Sequence, residues 1–591
     1  MNSNKNLKHI SESNSLLSIC LLSICLFLLT QISFAQKKDE NIGTEVVNVV
    51  KPYTPSISDA FKVKETPTLD DEEISKKENI QYNIFSFPVA STFAPSKGKA
   101  ANVDKSADEK IFSNYLTLGA GNYGTINAEL FITENISNTD YFGGMLRHSS
   151  SQGGIKDVVL DDKFFNTALD LTYGSRTKAL SWNADLGYKN QVYNWYGIYP
   201  GLLSDATIAT INEKQTYHTL YAGGRLALGD SFLKESSIKF SRFWDGFSSA
   251  ENRFVAKPSL EFDLVEQKIK TDFVVDYVSG SFNKTFNNGS SYKYGFTNVG
   301  FQPSIRIHKD DLIINAGVGF FYSAAQEAGQ SKFFIYPQVT GSYKVIGDLM
   351  IFYAGLEGTL HQNSYHDFVQ ENFFVSPTLT IAPTDQKYDI YAGLKGKLAS
   401  SISYNIRGSY KNEEGKALFK SNIYDYFNSN TDGYVYSNSF EVVYDKVKTL
   451  SFFGELKADF SKNVSFGING TFSSYSTTIE KEAWNLPTIK LATTLDVNIT
   501  PKWYAGTSLF FVGERKDLFS VSTLTFPFPD DVQITLKSYF DLNAHVGLKY
   551  SDRLTFFLKG NNLANQQYQR WSNYPVQGLQ VLAGASYKFD F

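Results

Sequence analysis

The chain ends on Leu579-Gln580-Val581-Leu582-Ala583-Gly584-Ala585-Ser586-Tyr587-Lys588-Phe589-Asp590-Phe591. Read in steps of two, one set is Leu579, Val581, Ala583, Ala585, Tyr587, Phe589 and Phe591. The other is Gln580, Leu582, Gly584, Ser586, Lys588 and Asp590. Side chains of a strand point alternately to its two faces, so the first face is apolar and the second mostly polar. The same period runs upstream. Leu542, Ala544, Val546, Leu548 and Tyr550 alternate with Asp541, Asn543, His545, Gly547 and Lys549, and Leu491, Thr493, Leu495, Val497 and Ile499 with Ala492, Thr494, Asp496 and Asn498. Val464 to Phe472, Leu450 to Phe460 and Ile402 to Tyr410 repeat it.

The connections alternate as well. Short turns such as Ser461-Lys462, Thr500-Pro501-Lys502, His308 to Asp311 and Gly347-Asp348 are interleaved with longer polar stretches at Ser149 to Asp162, Ile198 to Gln215 and Gly513 to Lys537. Strands of about ten residues, with short turns at one end and long loops at the other, describe a transmembrane barrel. The composition agrees. Phe 48 and Tyr 36 bring the aromatics to 15%, yet charged residues make up 20%, as suits a wall apolar outside and polar within. The expected fold is all-β: an antiparallel transmembrane barrel of about 22 strands, or 24 if Tyr434 to Phe460 is two strands. The net charge of −4 carries no basic footprint, so nucleic acid is excluded as a partner.

The barrel pattern begins near Phe112, which divides the chain into residues 1–35, 36–111 and 112–591. Lys5 and Lys8 precede the apolar run Ser15 to Thr30, and Ser33-Phe34-Ala35 forms a small-x-small site before Gln36. That is the form of a secretory signal peptide cleaved between Ala35 and Gln36. Both cysteines, Cys20 and Cys25, fall inside it, so disulfides, thiolate metal sites and thiol nucleophiles are excluded from the mature chain. Residues 36–111 are a Pro-rich, mostly irregular segment holding Pro52, Pro55, Pro67, Pro88 and Pro95, five of the chain's 16 prolines. Its composition cannot bury enough apolar surface for a core of its own.

Gly560-Asn561-Asn562-Leu563-Ala564-Asn565-Gln566-Gln567-Tyr568, then Tyr574-Pro575-Val576-Gln577-Gly578, then Ala583 to Phe589, resembles the last strands of TonB-dependent receptors. Val576 and Gln577 separate Pro575 from Gly578, a departure from that family's turn. The terminal strand, with Tyr587, Phe589 and Phe591, is similar to the signal by which outer-membrane proteins are recognised for insertion. The resemblance implies the outer membrane as location, with its lipid and the barrel-assembly machinery as partners. It also implies a plug domain between signal and barrel, for which residues 36–111 are too few and too polar. Thr44-Glu45-Val46-Val47-Asn48-Val49-Val50 resembles the short box that pairs with TonB by strand addition, which would make TonB or another periplasmic protein a partner.

Catalytic chemistry has no support. His361, His366 and Asp367 are the one close His cluster, and a spacing of five fits neither a helical zinc pair nor a strand face. No Ser, His and carboxylate set can be assembled, and neither a metal nor a cofactor is expected. Aromatics at Tyr193, Trp195, Tyr196 and Tyr199, and at Phe243, Trp244 and Phe247, fall in long connections. They suit either the interfacial girdle of a barrel or, for Tyr193, Trp195 and Tyr196, stacking on a flat ligand. The expected function is a non-enzymatic channel or transporter for a solute. The alternative is a barrel that scaffolds another envelope complex. A wide barrel without a plug would leak unless the N-terminal segment or inward-folded loops fill it.

Overall fold

The computed structural model describes residues 111–591 apart from 230, 265–266, 287–290, 328 and 523–530. The signal-cleavage residues Ala35 and Gln36, the TonB-box-like Thr44 to Val47 and nearly all of segment 36–111 lie outside the described residues. A single antiparallel sheet of 22 strands closes on itself, the first strand Asn114–Gly121 pairing with the last, Gln580–Phe589. The choice between 22 and 24 is decided at Phe440–Ser461, one unbroken strand of 22 residues. Turns and loops alternate from end to end, as between Leu312–Ala325 and its neighbours. Two residues join it to Tyr292–Lys309 at one end, whereas 22 residues separate Met350–His361 from Thr384–Ala399 at the other.

Two physical devices shape the wall. The first is the period-two pattern. Leu118, Leu186, Ile238, Phe452 and Leu558 are all 44% exposed or more, on the surface that faces lipid. Their sequence neighbours Asp185, Lys239, Ser451 and Lys559 point inward. The second is a set of cross-strand glycine–tyrosine pairs on the lumenal side. Gly187 stands opposite Tyr221, Gly355 opposite Tyr391, and Gly547 opposite Tyr504. In each case the ring lies over the glycine, where any Cβ would collide with it. Glycine weakens a strand interior because it has nothing to pack. The folded-over ring supplies that missing surface.

The long-loop end departs from the expectation of polar connections. Loops fold inward and build a hydrophobic core inside the mouth of the barrel. Tyr217, Phe243, Val278, Phe282 and Tyr294 from one side of the wall meet Phe419, Phe440 and Val442 from strands five to ten places further round it. Between them lie Tyr365, Phe368, Val369, Val375, Leu379 and Ile381 of the loop that follows Met350–His361, each 4% exposed or less. A second cluster, centred on Trp195, Ile211 and Tyr434, joins three more loops. Phe243 and Trp244, expected in a connection, instead end the strand Leu233–Asp245. Phe243 points into the core, and Trp244 stacks on His218 with ring centres 5.0 Å apart.

Candidate functional site

The segment from Gln362 to Pro383 acts as a lid across the lumen. It carries a short helix, Tyr365–Glu371, started by Ser364, whose Oγ accepts from the Asp367 N–H at 3.0 Å. Tyr365, Phe368 and Val369 fall on one side of this helix and enter the core. The wall holds the helix with polar groups. Glu251 accepts from the Tyr365 N–H at 2.7 Å, the His366 N–H at 3.3 Å and the Tyr294 hydroxyl at 2.7 Å. Asp245 accepts from the Tyr365 hydroxyl at 2.8 Å. Arg253 donates through Nε and Nη2 to Asp276 at 2.9 and 2.7 Å, and through Nη1 to Asp367 at 2.6 Å. Lys189 donates to Gln370 Oε1 at 2.7 Å, and Gln370 donates onward to Gln191 at 3.0 Å.

The far end of the lid is tied to the opposite wall. Phe374 stacks on Tyr574 at 3.6 Å, and the backbone of Phe440 exchanges hydrogen bonds with Phe374 and Ser376. Tyr444 accepts from the Ala382 N–H at 3.0 Å. Burial alone would raise the Asp367 carboxyl, but the hydrogen bond from His366 and the Arg253 charge more than reverse this. Together they hold it well below the ordinary aspartate range. Asp367 is therefore ionised at neutral pH, as its pairing with Arg253 requires.

Beneath the lid, against seven consecutive strands from Thr125–Asn135 to Ala250–Leu264, lies a cavity of about 620 Å³. Such a volume is ordinary for a small-molecule site. Its wall is polar: Asn127, Ser149, Asn166, Thr219 and Ser241 alternate with charged groups, and His366, Asp367 and Gln370 of the lid helix form part of its lining.

The candidate stacking residues are all engaged with the chain's own rings. Tyr193 stacks on Phe373 at 3.9 Å, and Tyr196 packs edge-on against Tyr574 and Phe374. Trp195 is 1% exposed, between Phe247 and Tyr434, inside the loop cluster rather than on the lipid-facing surface. Tyr587 and Phe589 stand on the outward face of the closing strand, and Phe591 follows it, 82% exposed. His366 and Asp367 sit on the lid helix, while His361 ends the strand before it. Among the described residues, no group of three or more His, Asp or Glu side chains is placed to hold a metal. Sequence reasoning missed Glu251, Arg253 and Lys189. Their signal was lumenal parity near the long-loop end of their strands.

No family model matches the chain, and no curated protein matches it. Solved structures do. The FrpB iron transporter from Neisseria meningitidis superposes with a TM-score of 0.61 at 11% identity, covering 81% of this chain and 82% of that one. The siderophore receptor PirA from Acinetobacter baumannii gives 0.60 at 12% identity, covering 80% of each. The copper transporter OprC gives 0.57 at 10% identity, covering 82% and 81%. The likeness is one of fold, and the fold is that of an outer-membrane β-barrel.

Proposed function

We propose that the chain is a gated outer-membrane transporter for a small polar solute, with the lid Gln362 to Pro383 as its gate. One observation carries this reading: a hydrophobic core bridges opposite walls at the mouth, directly above a polar cavity. An open channel has no use for the core, and a purely structural barrel has no use for the cavity. The receptor-like fold and the transporters among its structural neighbours support the same reading. The shortness and polarity of residues 36–111 support closure of the mouth by the loops rather than by a plug domain.

Removing Asn363 to Ala382 from the full chain is the test. The barrel should still insert, and planar bilayers should show a conductance at least tenfold above wild type. Unchanged conductance in an inserted barrel refutes the gate.

The depth of the core favours a second reading, in which the mouth stays shut and the barrel serves as a scaffold. Segment 36–111 would then be a periplasmic tether. Deleting Asn41 to Ala107 should lose a co-purifying periplasmic protein under the scaffold reading. Deleting only Thr44 to Val50 should stop solute uptake if TonB drives the gate.

A further inference from the structure

We propose that the cavity beneath the lid binds a small anion bearing carboxylate or phosphate groups. This inference rests on the transporter reading and names its substrate class. Four cationic groups line the cavity: Arg147, Lys189, Lys239 and Arg253. The two arginines are already committed. Arg147 donates to Asp170 at 2.7 Å, and Arg253 is shared between Asp276 and Asp367.

Three of the four carboxylates of the lining, Asp170, Glu251 and Asp367, are committed too. Asp170 also accepts from the Tyr221 hydroxyl at 2.6 Å. Glu251 is occupied by the Tyr294 hydroxyl and two backbone N–H groups of the lid helix. Glu129 stands directly across from Arg147 in the strand register and is the one lining carboxylate without a side-chain hydrogen bond or ion pair among the described residues.

The lysines remain. Lys189 gives one hydrogen bond to a neutral amide, Gln370, and an ammonium has three donors to give. Lys239 sits 4.7 Å from the centre of the Tyr221 ring. Among the described residues neither lysine meets a carboxylate within ion-pair distance. They stand two strands apart on the same inner face, with Tyr221 between them.

Two ammonium groups outside ion-pair distance of any carboxylate outnumber the one unpaired carboxylate of the lining, Glu129, and make an anion the complementary occupant of this partly enclosed cavity. The amides and hydroxyls around them suit an anion with several acceptor atoms. Such a ligand would also reach the gate, because an acceptor placed on Lys189 competes with Gln370 of the lid helix. Occupancy of the cavity and docking of the lid are thereby linked.

The test is calorimetric titration of the purified full-length protein in detergent with citrate and, separately, with pyrophosphate. Spermidine and glucose serve as the cationic and neutral probes. At least one anion should bind saturably at one site. Lys189→Gln and Lys239→Gln should each weaken it about tenfold, and the double variant should abolish it. Lys189→Arg, which keeps the charge, should retain binding and shows that loss in the glutamine variant is not misfolding. A preference for citrate assigns carboxylate chemistry and a preference for pyrophosphate assigns phosphate chemistry. Absence of saturable anion binding overturns the proposal, as does wild-type affinity in the double variant or tighter binding of spermidine than of either anion. Conductance of the lid-deleted barrel uses none of these probes, so failure of the anion site and failure of the gate are separately visible.

Discussion

Arg253 in the barrel wall lies 2.6 Å from Asp367 on the lid helix while its Nε and Nη2 hold Asp276 in the wall. One guanidinium thus joins the barrel wall to the lid helix. The arrangement suits arginine, whose planar fork can serve two carboxylates at once, and no lysine could replace it.

Asp367→Asn keeps the shape of that contact and removes its charge. A hydrogen bond to a charged group contributes about 1.5–3 kcal/mol, and Asp367 is 43% exposed, so the lower end of that range or less applies after solvent screening. Loss of about 1 kcal/mol corresponds to roughly a fivefold rise in the open fraction of the lid. Single-channel recording should show that rise. An unchanged open fraction would mean that the apolar core alone keeps the lid shut.

The same pair fixes a pH window. The folded Asp367 carboxyl has a pKa below the ordinary value of 3.8. Its contribution to lid docking is therefore fully present above that value and is lost as pH falls through the lower, folded value. Wild type and Asp367→Asn should differ by a constant amount from pH 7 down to about 5. The difference should begin to shrink only below about pH 4, where the undocked carboxyl protonates, and should vanish only once pH falls below the lower, docked value. Protease sensitivity of the lid, compared between the two proteins at each pH, measures this. A difference that grows on acidification has the wrong sign for a depressed carboxyl.

Gly187 and Tyr221 form a second testable pair. A side chain at position 187 must displace the ring that lies over it. Gly187→Val should destabilise the barrel by about 1–3 kcal/mol, the usual cost of overpacking. Tyr221→Ala should remove most of that penalty in the double variant, because the obstacle is then gone. Additive costs in urea unfolding would show that the glycine is needed for its backbone rather than for the ring.

Facing was legible in the sequence because period two is a local property of a strand. Leu495 and Thr494, neighbours near the middle of Ile489–Asn498, point to lipid and lumen respectively. Arg at Leu495 should cost about 2–4 kcal/mol at mid-bilayer depth, and Arg at Thr494 much less. Equal losses in folding titrations would contradict the register. The lid was not legible. Tyr365, Phe368 and Val369 show helical spacing for less than two turns, too short to stand out in a polar stretch. Its wall partners Glu251 and Arg253 are ordinary lumenal residues until the loop, more than a hundred positions away, meets them. Trp195 was noticed as an aromatic in a connection. What buries it, Tyr434, lies on a loop that no local pattern links to it.

The chain end separates recognition from stability. The closing strand pairs with Asn114–Gly121 through eight residue pairs, of which only Asn114 with Phe589 involves the last three residues. The Ser113 N–H to Asp590 bond at 2.8 Å is exposed. Phe591 is 82% exposed, so Phe591→Ala removes little buried surface and should leave the assembled barrel's unfolding midpoint within about 0.5 kcal/mol of wild type. If the aromatic end is the insertion signal, the same substitution should reduce assembly in cells several-fold. Deletion of Phe589 to Phe591 should nearly abolish it, while refolding of purified Phe591→Ala into detergent should proceed as for wild type. Slow refolding in detergent would make the end a structural seam. Normal assembly of the deletion in cells would remove the terminal aromatics from recognition altogether.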